Sequence, residues 1–170
     1  MIDFDFDKLK SSLHNILHQM QTDRWMPDYV VGVVPDGIVP AAFIAQYLGV
    51  PLNSLHVDLS DQVFNKLREW DDSRTETNCW MADDAIGYQA ERPYNILVVL
   101  NRNDNAVIDW IRNDWESSNR TKEWDAVWHQ SVRFATLVDV LENSTSVSYA
   151  AHEIESADQI NFIENKWWSK

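Results

Sequence analysis

Tyr94 to Trp115, YNILVVLNRNDNAVIDWIRNDW, decides the fold. Ile96 to Leu100 is an unbroken apolar run, the pattern of a parallel strand covered on both faces. Polar Asn101 to Asn105 follow, after which Val107, Trp110, Ile111 and Trp115 recur on one face of a helix. Open α/β sheets bind ligands at strand ends of this kind. The loop carries one carboxylate, Asp104, and neither glycine nor threonine.

Upstream, Tyr29 to Val34 reads as a second strand, Pro35-Asp36-Gly37 as a tight turn, and Pro40 as the start of a helix, AAFIAQYL, that stops at Gly49. Leu55, Val57 and Leu59 alternate as the next strand, closing one βαβ crossover. Nearer the start, Leu9, Leu13, Ile16, Leu17 and Met20 give a packing helix that breaks at Met26-Pro27. Downstream, Val132 to Val138 is a buried strand and Val147 to Ala150 a short one, before an aromatic tail over 160–170. The polar stretch 60–92 lacks clear periodicity apart from a short ordered piece at Cys79 to Tyr88, and reads as a lid or an interface arm. Asp3-Phe4-Asp5-Phe6-Asp7 and Asp71-Asp72 read as solvated faces. This alternation predicts an α/β fold with a mostly parallel central sheet flanked by helices.

With 170 residues and 45% hydrophobic content the chain suits one domain, 1–170, and is short for two. A net charge of -13, from 27 acidic and 14 basic residues, repels phosphodiester backbones and anionic lipid, so direct DNA, RNA or membrane-surface binding is not expected. The lone Cys79 cannot form an intrachain disulfide, and MIDFDFDKLK lacks a secretory pattern, so a cytoplasmic location is expected. No apolar run approaches the roughly 20 residues that span a bilayer. The nine tryptophans read as core and subunit packing, with base stacking by one or two as the sharper alternative.

Two segments in this order, VGVVPDGIVPAAFIAQYLGV and NILVVLNRNDNAVIDWI, resemble the type I phosphoribosyltransferases. FIENKWW, Phe162 to Trp168, looks like the end of the xanthine/guanine branch, and WMADDAIGY and VRFATLVDVLE look like segments of small bacteriophage-encoded members. The resemblance implies that family's fold, with a small hood and a tail, 160–170, over the pocket. It also implies three devices for joining a base to phosphoribosyl pyrophosphate, and each departs from the family pattern here. The pyrophosphate loop, R-G-G in type, is Pro35-Asp36-Gly37: proline lacks an N–H and aspartate puts negative charge where a dianion should sit. In the signature V-[IV]-D-D-x-x-D-T-G-x-T, the acid pair is Leu100-Asn101, the third acid is Asp104, and T-G-x-T is Asn105-Ala106-Val107-Ile108. Leucine cannot coordinate metal, and Ile108 cannot give a hydroxyl to phosphate. The purine-reading lysine falls at Val140, while the stacking aromatic is Phe162 with Ile163 behind it.

Asp104 reads either as a helix N-cap or as a base contact, and Arg102 as a phosphate ligand or a solvated loop arginine. His14 and His18 have metal-binding spacing but no third ligand, and are read as a surface pair. His56, His129 and His152 are read as structural, and Cys79 as buried. Glycine-rich nucleotide loops, H-E-x-x-H and G-x-S-x-G are absent. The expected ligand-binding set is Asp36, Gly37, Asn101, Arg102, Asn103, Asp104, Asn105, Phe162 and Ile163, with no catalytic residue, metal or cofactor. The expected function is a catalytically degenerate phosphoribosyltransferase-like protein that binds a nucleotide or cyclic nucleotide. Its inferred use is sequestration of a host defence signal by a phage, in the host cytoplasm. The alternatives are an active purine phosphoribosyltransferase and a protein-interaction module; the resemblance, whose members commonly pair subunits, implies a homo-oligomer, in which the aromatic excess would find cover.

Overall fold

The computed structural model describes residues 2–57, 59, 80–119 and 124–162. Its main sheet has the order β3-β2-β4-β5-β6 and is parallel throughout. The strands are β2 (Tyr29–Val34), β3 (Leu52–His56), β4 (Ile96–Arg102), β5 (Val132–Val140) and β6 (Tyr149–Ile154). Central β4 is buried from Ile96 to Asn101, as its unbroken apolar run requires of a strand covered on both faces.

Two helices cover one face, α1 (Phe6–Thr22) and α2 (Ile38–Leu48). Ile16, Leu17, Ile44 and Ala45 pack there on Val30, Leu97 and Val99. Three others, α3 (Trp80–Ile86), α4 (Asn105–Ser118) and α5 (Trp124–Val127), cover the opposite face over Val31, Val98 and Phe134. Trp115, Trp124 and Trp128 fill that second layer, with Trp124 and Trp128 stacked at 5.2 Å between centroids. Burying an aliphatic or Phe side chain contributes about 1.5–3 kcal/mol, so these layers carry most of the favourable energy. Among the described residues no helix is long and apolar enough to cross a membrane.

Several boundaries differ from the sequence reading. The strand expected around Leu55 to Leu59 lies three residues earlier, because β3 is an edge strand whose residues are exposed or half-buried and give little apolar contrast. β6 starts at Tyr149 and runs on to Ile154 through polar His152 and Glu153. The acids of the Asp-Phe repeat, Asp3, Asp5 and Asp7, are exposed as a solvated face requires, but the stretch also supplies β1 (Ile2–Phe4), which pairs in parallel with β7 (Ile160–Phe162) and buries Phe4. Asp5 then caps α1, accepting from the Lys8 N–H at 2.8 Å. Of the stretch read as a lid or arm, Trp80–Ile86 is helix α3, and 60–79, with Asp71, Asp72 and Cys79, lies outside the described residues.

Candidate functional site

After β2 the chain crosses through α2 to β3 on one side; after β4 it crosses through α4 to β5 on the other. The two connections part at the carboxyl ends of β2 and β4, and such a switch point leaves a crevice where open α/β sheets take ligands. Pro35-Asp36-Gly37 and Arg102 to Asn105 border it.

On the β2 side the Val34–Pro35 peptide is cis, Asp36 is exposed, and buried Gly37 is the N-cap of α2. The Gly37 N–H donates to Val33 O at 2.7 Å, so it is not free for a ligand. Glycine is needed here because a Cβ would stand 2.0 Å from Val99 O on β4. No side chain caps α2.

On the β4 side the polar loop serves mainly as a fastener. Asn103 is fully buried; its Nδ2 donates to Val140 O at 3.3 Å and Thr145 O at 3.2 Å, and its Oδ1 accepts from the Val140 N–H at 2.7 Å. Asn105 Oδ1 accepts from the Thr145 N–H at 2.9 Å and from the Thr145 hydroxyl. Asp104 is the N-cap of α4, accepting from the N–H groups of Ala106 at 3.0 Å and Val107 at 3.4 Å. The phosphate-contacting T-G-x-T of the family signature falls on this helix start, Asn105 to Ile108. Here the chain's own carboxylate occupies those N–H groups.

Leu100 and Ile108 point into the core layer beneath α4, 4% and 0% exposed. Asn101, only 4% exposed, shares by strand alternation the opposite face with Leu97 and Val99, toward α2. Its Oδ1 is buried without a hydrogen-bond partner among the described residues, a condition that costs about 1–3 kcal/mol. The Thr136 hydroxyl, opposite Leu100 in the strand register, is likewise buried and unpartnered, a feature sequence reading did not single out. Arg102 and Asp36 are exposed, and among the described residues their side chains take no hydrogen bond or ion pair.

The fold is that of the purine phosphoribosyltransferases. The chain is similar to a purine phosphoribosyltransferase from Pyrococcus horikoshii Ot3, with 12% identity over 96% of this chain and 92% of that one and a TM-score of 0.61. It is similar also to the xanthine-guanine-hypoxanthine phosphoribosyltransferase of Helicobacter pylori, with 14% identity, 94% and 90% coverage, and a TM-score of 0.57. No protein-family model matches the sequence, and no curated protein does.

Of the residues expected to bind ligand, Asp36, Asn101 and Arg102 keep uncommitted groups around this crevice. Gly37, Asn103, Asp104 and Asn105 border it with the hydrogen-bonding groups named above already engaged. Phe162 is not brought to it. Its ring is buried in the β1–β7 pair, 5.3 Å from that of Phe4, whose own ring meets His152 of β6 edge-on at 6.0 Å. Ile163 lies outside the described residues.

Two carboxylates meet near the same end of the sheet: Asp139 and Glu153 are register partners on β5 and β6. Burial, and then the Glu153 charge, push the Asp139 carboxyl above its ordinary value. The folded protein therefore holds this proton more tightly than the unfolded chain, so the group favours folding as pH falls through its raised value and disfavours it above. Asp139→Asn should raise the urea midpoint at neutral pH, and the gain should fade in acid. An equal effect at both pH values would contradict the assignment.

Proposed function

We propose that the chain binds a purine nucleotide in the β2–β4 crevice and does not transfer phosphoribosyl groups. The observation that carries this reading is Asn101: a buried carbonyl oxygen without a donor, at the end of the central strand. A ribose hydroxyl or a base N–H would satisfy it. Arg102 supplies a cation for phosphate, and the start of α2, without a side-chain cap, supplies a favourable partial charge.

The absence of transfer rests on Leu100 and Ile108, whose carbon side chains fill the core, and on Asp104, whose carboxylate already holds the N–H groups a phosphate would use. Fold similarity to enzymes that act on purine bases favours purine as the base class. Binding without turnover suits sequestration, and a cyclic nucleotide signal taken up by a phage-encoded protein is the use we infer.

A thermal-shift panel of purine mono-, di- and cyclic nucleotides tests the reading, because ligand at about 100 times its dissociation constant stabilises by roughly 2.7 kcal/mol. Asn101→Leu should behave in two opposite ways. It removes the unpaired oxygen and should stabilise the free protein by about 1 kcal/mol or more, yet the nucleotide shift should disappear. Wild-type protein unmoved by every nucleotide would refute the proposal, and a full shift in Asn101→Leu would place the site elsewhere.

A further inference from the structure

Near the amino ends of β5 and β6, the end of the sheet opposite the crevice, Arg112 of α4 meets His129, just before β5, and His129 meets Ser148, just before β6. Of the two half-buried arginines among the described residues, Arg133 meets a carboxylate, that of Asp23, at 3.2 Å, whereas Arg112 meets none, although the chain carries a net charge of -13. Glu116, one turn along α4, would be its ordinary partner, but the Glu116 carboxylate accepts from Trp128 Nε1 at 2.8 Å. Arg112 lies instead over the rings of Trp128 and Phe134, 5.7 and 5.8 Å from their centroids, with its Nη2 3.1 Å from His129 Nε2.

A guanidinium only donates, so Nε2 accepts and the neutral imidazole carries its proton on Nδ1, toward Ser148 Oγ at 3.3 Å. The Ser148 hydroxyl therefore accepts, and its own proton has no acceptor among the described residues. Only the Nη2 of Arg112 is hydrogen-bonded among those residues, and its Nε is buried without a partner. His129 is exposed, so a ligand can reach it, and it sits at φ 67°, a left-handed conformation that costs energy in a residue other than glycine. Burial, and then the charges of Arg112 and Arg133, hold its imidazole below its ordinary value. This surface is locally cationic and rich in unmet donors.

We propose that Arg112, His129 and Ser148 form a second binding site, for a phosphate-class oxyanion, separate from the β2–β4 crevice. A tetrahedral anion has oxygens enough to accept from the guanidinium, the hydroxyl and the imidazole together, whereas a planar carboxylate would leave one donor unmet. The anion's charge also changes the histidine. Beside a dianion His129 takes up a proton from solvent, Nε2 turns from acceptor to donor, and the Nη2 of Arg112 is released to face the anion. Free inorganic phosphate and a phosphomonoester present the same oxygens, so both serve as probes.

Titration of the full chain with inorganic phosphate and with glycerol phosphate, at constant ionic strength and followed by NMR of the histidine rings, tests this. Binding should be saturable and should move the His129 ring signals; the tighter of the two probes tells whether the natural ligand is the free anion or an ester. Arg112→Gln should weaken binding about tenfold or more, the size of one charge-assisted hydrogen bond, and Ser148→Ala should weaken it less. Thermal melts check folding; should Arg112→Gln misfold, Ser148→Ala carries the test. Sulfate, whose charge does not change across the histidine range, should raise the pH at which the His129 ring titrates. Arg102→Gln removes the crevice cation and should leave the His129 response intact. A His129 ring unmoved by both phosphates would overturn the proposal, as would a response lost in Arg102→Gln but kept in Arg112→Gln and Ser148→Ala.

Discussion

Gly37→Ala should lower stability by about 3 kcal/mol or more, at or beyond the upper end of ordinary overpacking. The new methyl carbon would lie 2.0 Å from Val99 O, 2.9 Å from the Val99 carbonyl carbon and 3.1 Å from Leu100 Cα. All three are backbone atoms of the central strand, held by pairing with β2 and β5, so none can rotate aside. Relief requires lifting the start of α2 off the sheet, which also opens the crevice beside Asn101. The φ of Gly37 is -85°, accessible to alanine, so the cost comes from contact and not from backbone conformation. Urea unfolding measures it; a stability within about 1 kcal/mol of wild type would mean α2 does not press on β4 in this way.

Asn103→Ala should cost about 3 kcal/mol, since truncation leaves the Val140 N–H, Val140 O and Thr145 O without their amide partner and each stranded buried group costs about 1–3 kcal/mol before relaxation. The loss should be local as well as global. Hydrogen exchange at the Val140 amide should accelerate beyond the change that global destabilisation accounts for, because its acceptor is the side chain removed. Unchanged exchange at Val140 would show that Asn103 does not hold the β5–β6 connection. The amide of Asn103 is fully used within the fold, whereas the Asn101 Oδ1 has no partner among the described residues.

The contrast between those two asparagines marks how far the sequence could be read. Ile96 to Leu100 could be placed from sequence because a run of apolar residues without alternation has few homes other than a covered strand. Asp104 was legible as a cap because aspartate before a helix satisfies its first N–H groups locally. Asn101, Asn103 and Asn105, by contrast, are chemically alike in sequence, and what distinguishes them lies far along the chain: the partners of Asn103 and Asn105 are 37 to 42 residues away. Phe162 was read as a stacking residue from its tail motif, yet its environment is set by Phe4 at the other end of the chain, through a strand pair of three residues a side. Alternation over three residues is too short to separate a strand from an acidic solvated stretch. The exposed stripe on α2, Val39, Phe43 and Tyr47, was hidden for another reason: a wholly apolar helix reads as buried, and the sequence does not say which side lies open.

On the proposed function, the carbon side chains of Leu100 and Ile108, together with the Asp104 cap, leave this chain without the means to activate phosphoribosyl pyrophosphate. Pyrophosphate release during incubation with phosphoribosyl pyrophosphate, magnesium and each purine base in turn measures that most directly. The account predicts release equal to a protein-free blank for every base. Release that rises in proportion to protein concentration with any one of them would contradict it.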